Sequence, residues 1–136
     1  MTYTLTTHVQ LPYAEAVEAV RSALKDQGFG VLTEIDIRTT FAAKLGPDAA
    51  NAVGDYVILG ACNPNLASRA LAAEPEMGAL LPCNVVVRRG PDADATTVEA
   101  IDPQTMVQLS SSERVREVAD DAGTRLRAAL AAVAGH

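Results

Sequence analysis

The chain has 136 residues, of which 49% are hydrophobic, and its 17 acidic against 11 basic side chains leave a formal net charge of −6. That length and apolar content are enough for one domain with its own core, without staples of disulfide or metal. The acidic balance excludes the clustered basic surface that nucleic acid or an anionic membrane requires, and 4% aromatic content with no tryptophan leaves little for stacking on bases or sugars.

From Tyr3 to Val9 the residues alternate, Tyr3, Leu5, Thr7 and Val9 against Thr4, Thr6 and His8, so a first strand is expected with His8 on its polar side. Pro12 opens a helix in which Tyr13, Val17, Val20 and Leu24 recur at helical spacing, with Glu15 early, Lys25 late and Gly28 just past the end. The period returns to two from Phe29 to Arg38, with Phe29, Val31, Thr33, Ile35 and Ile37 on one face and the acids Glu34 and Asp36 on the other. Gly46, Pro47 and Gly54 then bracket an Ala/Asn-rich connection, read as a loop with a short helix over Thr40 to Leu45.

Tyr56 to Ala61 is an apolar, β-branched run, and on it Tyr56, Ile58, Gly60 and Cys62 share one face. Asn63 suits the N-cap and Pro64 the first position of a short helix, whose apolar face is Leu66, Ala67, Ala70 and Leu71 and which Pro75 closes. After Pro82 a buried strand follows, with Cys83, Val85 and Val87 on one face. A turn over 89–94 leads into the return strand Thr96 to Ile101, and Asp102 with Pro103 ends it as a cap or turn. Ser110 and Glu113 have capping-box spacing, and Val115, Val118, Ala122, Leu126, Ala129 and Val133 trace one face of a long closing helix.

The order β-α-β-β-α-β-β-α implies an α+β fold, an antiparallel sheet with two long helices on one face. The opposite face then needs water or a partner. Because apolar residues recur on both sides of the central strands, that face is expected to be partly buried in a homodimer.

Three segments, GFGVLTEIDI at 28–37, YVILGACNPNLASRALAAEPEMGALLPCNVVV at 56–87 and VEAIDPQTM at 98–106, resemble the bacterial and archaeal domain of unknown function 302 family. The likeness runs from about Tyr3 to the last helix. It implies a small α+β protein, an arrangement similar to the TATA-binding-protein-like fold, and a tendency to dimerise. It supplies no activity, and likeness to a DNA-binding architecture transfers no DNA binding. The connection from Gly46 to Asp55 is longer than the family's usual pattern.

Chemistry concentrates between Leu59 and Val87, where both cysteines stand, each followed by asparagine. A thiol just ahead of a helix start, as Cys62 is, feels the exposed N–H groups, which favour the thiolate. With Cys83 nearby, the pair can cycle between thiols and disulfide or share a soft metal such as zinc or Cu(I). Plain packing competes with both readings, since free cysteine is commonly a small buried hydrophobe, and the pair lacks C-x-x-C spacing. Asn63 and Asn84 can orient a small polar ligand, or act only as cap and turn residues. Glu34 and Asp36 are a candidate carboxylate pair, or solvated strand surface. His8 and His136 form no metal pattern, and the serines at 110–112 are explained as a cap.

Two cysteines, no apolar leader after Met1 and no apolar run near about 20 residues point to a cytoplasmic chain with reduced thiols. The leading expectation is a non-enzymatic binding or regulatory homodimer holding a small molecule of unspecified identity near Cys62, Asn63, Cys83 and Asn84. Thiol redox or soft-metal handling comes second, and an enzyme acting through Glu34 or Asp36 third. No cofactor is specified.

Overall fold

In the computed structural model, which describes residues 2–135, the alternating segments become five strands, β1 (Thr4–Val9), β2 (Gly30–Asp36), β3 (Asp55–Cys62), β4 (Cys83–Arg89) and β5 (Thr96–Ile101). They form one sheet in the order β1-β5-β4-β3-β2, with every neighbouring pair antiparallel. The helices are α1 (Tyr13–Asp26), α2 (Ile37–Leu45), α3 (Pro47–Val53), α4 (Pro64–Ala73), α5 (Gln104–Leu109) and α6 (Glu113–Ala134), with a 3-10 turn over Pro75–Leu80. This is the expected α+β architecture, with short helices added to the expected order.

One face of the sheet is apolar because strand alternation collects Val57, Leu59 and Ala61 of β3, Val85 and Val87 of β4, and Val98 and Ala100 of β5 there. Ala16, Val20 and Leu24 of α1 and Leu126, Ala129, Leu130 and Val133 of α6 close over them. The first half of α6 packs elsewhere: Val118 and Ala122 meet Leu66 and Ala70 of α4, while Val115 and Ala119 meet Met77 and Met106. One long helix thus joins the main core to a second layer at the Cys62 end of β3.

The other face carries no long helix, and the strand register orders its residues in rows. Ile35, Ile58, Val86, Glu99 and Thr6 form one row across all five strands. Tyr56, Arg88, Thr97 and His8 form the row on one side of it.

Four local expectations are corrected. The strand expected to Arg38 ends at Asp36, whose side chain accepts from the Thr39 N–H at 2.9 Å and starts α2 at Ile37. A bulge between Val31 and Thr33 breaks the strict alternation. Val31 therefore shares the helix side with Glu34 and Asp36, while Thr33 and Ile35 lie on the open side. The Gly46 to Asp55 connection, read as a loop, contains α3: Pro47 sits in its first turn, and Gly46 and Gly54 bound it with φ of 98° and 73°. The cap of α6 is Ser112, whose Oγ accepts from the Val115 N–H, whereas Ser110 accepts from the Ser112 N–H and donates to Glu74.

Candidate functional site

Cys62 ends β3 and Asn63 follows as the N-cap of α4, its Oδ1 accepting from the Leu66 N–H at 3.2 Å. The register pairs Ala61 with Cys83, so Cys83 belongs to the helix-covered side with Ala61, and Cys62, one residue on, to the other. At this strand end the two sides meet. Cys62, Asn63 and Cys83 all line one cavity of about 30 Å³, together with Phe29, Leu66 and Met106. Its walls are almost wholly apolar and it has room for about one water molecule. Both thiols are free; Cys83 is buried and Cys62 half-buried. Burial, and secondarily the neighbouring Cys62, pushes the Cys83 thiol up to about 11, so it stays protonated at neutral pH.

Asn84 goes elsewhere. It pairs with Gly60 on the open face, is exposed, and lines a groove of about 780 Å³. The groove's floor is the middle of the sheet: Tyr56 from β3, Asn84, Val86 and Arg88 from β4, and Glu99 and Ile101 from β5. Leu80, Leu81 and Pro82, delivered by the 3-10 turn, border it on one side, and the segment from Thr2 to Thr4 borders it on another. Across β4 and β5 the Arg88 Nε donates to Glu99 Oε1 at 2.5 Å. Glu99 is mostly covered and Arg88 is half-exposed. Bonding to Glu99 raises the Arg88 pKa further, partly offset by burial.

Of the four residues expected together, the structure brings three to the closed corner and places Asn84 in the open groove. Tyr56, Arg88 and Glu99 were not singled out as a site from the sequence. Their signal was strand parity, since Arg88 shares a face with Asn84 and Val86, but the Arg88–Glu99 pairing requires the register of β4 on β5.

The remaining candidates have structural duties. Glu34 pairs with Arg21 of α1 at 2.8 Å, and Asp36 caps α2. These two acids, with Asp55, also lift the Tyr13 hydroxyl to about 12, after burial as the first cause. His8 Nδ1 lies 3.0 Å from Thr97 Oγ1. Asp102 accepts from the Gln104 N–H at 3.0 Å, as its cap or turn reading required. His136 lies outside the described residues. Among the described residues, no three His, Cys, Asp or Glu side chains converge as a metal site, and no helix is long and apolar enough to cross a membrane.

A five-stranded antiparallel sheet, backed by two long helices on one face and grooved on the other, defines an α+β domain. The chain belongs to the family described as Domain of unknown function DUF302, whose model matches residues 5–133. Its fold is that of the crystal structure of an uncharacterized conserved protein DUF302 from Bacillus stearothermophilus, with a TM-score of 0.84. The two are 27% identical over 97% of this chain and 98% of that one. No curated protein matches the chain.

Proposed function

We propose that this domain is a non-catalytic, cytoplasmic binding module whose small-molecule site is the open-face groove beside Asn84. The observation that carries the reading is the groove itself. At about 780 Å³ it falls in the range that holds small ligands, and its floor combines apolar Val86 and Ile101 with the polar Tyr56, Asn84, Arg88 and Glu99. The closed corner at Cys62, Asn63 and Cys83 is too small for anything larger than water, so its part in this reading is to hold α4 and the 3-10 turn against the sheet. Thiol redox or soft-metal handling is supported by the shared cavity of the two sulfurs, and opposed by the burial that keeps Cys83 protonated.

A second copy of the chain completes the proposal. Ile35, Ile58 and Val86 stand side by side across β2, β3 and β4 on the uncovered face, and Ile35 is 47% exposed. A two-fold pair centred on Ile35 and Ile58, neither of which lines the groove, would leave Asn84, Arg88 and Glu99 accessible, with Tyr56 and Val86 at the border of the two surfaces. Native mass spectrometry of protein purified from its own host tests both parts. The expected spectrum is a dimer carrying a small molecule that is lost on denaturation. A bare monomer across concentrations overturns the reading.

A further inference from the structure

We infer that the groove takes an organic carboxylate with a short apolar body, its anionic group held by Arg88. The inference rests on the groove being the ligand site and names the class of ligand.

A guanidinium has two edges that can grip a planar anion, one formed by Nε with a terminal nitrogen and one by the two terminal nitrogens. Glu99 occupies the Nε of Arg88, and among the described residues no acceptor takes the terminal nitrogens. Glu99 therefore acts as the positioning residue: it fixes the plane of the guanidinium and leaves the terminal edge for a ligand. A carboxylate fits that edge with two parallel hydrogen bonds. The Asn84 amide and the Tyr56 hydroxyl are further donors on the same floor, and neither is engaged by another described side chain.

The lining also discriminates among charges. Arg88 is the one cation among the groove residues and Glu99 the one anion, and the anion is mostly covered and already paired. An ammonium ligand would meet no unpaired carboxylate, because the only one on the floor, Glu99, is already bonded to Arg88. A phosphate dianion would find a single cation and no lysine or second arginine. A monoanionic carboxylate is recognised by the directional hydrogen bonds of the free guanidinium edge, Glu99 having already balanced the arginine's charge, and Val86, Ile101 and Leu80 provide apolar surface for the rest of it.

Titration of the isotopically labelled full chain with hexanoate, hexan-1-ol, hexylammonium and inorganic phosphate, followed by amide shifts in NMR, tests this. Hexanoate is expected to shift Asn84, Val86, Arg88 and Glu99 saturably, with the other three probes at least about tenfold weaker. Arg88→Ala is expected to weaken hexanoate by at least about tenfold, and Arg88→Lys, which keeps the charge without the fork, to recover only part of the loss. If Arg88→Ala fails to fold, Arg88→Lys and Asn84→Ala carry the same comparison. Hexanol or hexylammonium binding as tightly as hexanoate, or undiminished hexanoate binding by the arginine variants, overturns the carboxylate assignment and leaves the groove as a site. No shift of the groove amides with any probe overturns both.

Discussion

Thr33 of β2 fills the space beside Gly60 of β3: a Cβ at position 60 would overlap the Thr33 Oγ1 and lie 2.9 Å from Pro82 Cγ. Glycine is therefore required there by packing, since its backbone conformation is ordinary for a strand. Gly60→Ala is expected to destabilise the domain by about 1–3 kcal/mol, because the Thr33 hydroxyl must leave its rotamer and the Pro82 ring must shift to make room for the new methyl group. Thr33→Ala in the same chain should restore part of the loss and leave the part due to Pro82. Urea denaturation of the two variants checks it, and equal midpoints for Gly60→Ala and the parent would refute the packing argument.

Asn63 joins a cap to a close approach. Its Oδ1 bonds the Leu66 N–H, and its Nδ2 lies 3.0 Å from where a Cβ of Gly28 would stand. Loss of the side chain in Asn63→Ala should cost about 1 kcal/mol, and Asn63→Ser, which keeps a capping oxygen, should recover most of it. Ligand binding in the groove should be unaffected by either. Thermal melts beside the hexanoate titration separate these outcomes, and a loss of hexanoate affinity in both variants would return Asn63 to the binding site.

Alkaline pH should weaken the fold in two stages. An acid whose pKa rises on folding keeps its proton longer in the folded chain, so its contribution is complete below the unfolded pKa and is lost as pH rises to the folded value. Cys83, moved from 9.0 to about 11 by burial and then by Cys62, removes about 2–3 kcal/mol between pH 9 and 11. Tyr13, moved from 10.0 to about 12 by burial first and its acidic neighbours second, extends the decline to about pH 12. In Cys83→Ala the first stage should flatten while the second persists, as read from denaturation midpoints across that range. A thiol reagent near neutral pH should leave Cys83 unmodified until urea is added.

Dimer formation should depend on the open face. Ile58→Glu places a charge in the middle of the Ile35–Ile58–Val86 row and is expected to yield monomers by light scattering, while the solvent-facing Leu109→Glu, at 67% exposure on α5, should not. Dimers persisting in Ile58→Glu would move the interface away from this face.

Much of this architecture is local in origin and could be read from residue order. The two-residue alternation gives the five strands, the 3.6-residue spacing gives α1 and α6, and Asn63–Pro64 gives the start of α4, because each signal involves neighbours within a few positions. Other features depend on residues that only the fold makes adjacent. The bulge between Val31 and Thr33 exists because β2 must pair with β3, and it turned Thr33 and Ile35 toward the open face while Val31 stayed against the helices. Alternation along β4 already separates Asn84 from Cys83, whereas register alone laid Glu99 beside Arg88. A chain can announce its elements because dihedral preference and amphipathic period are short-range; it cannot announce its groove, whose floor comes from three strands and whose rim comes from a distant turn.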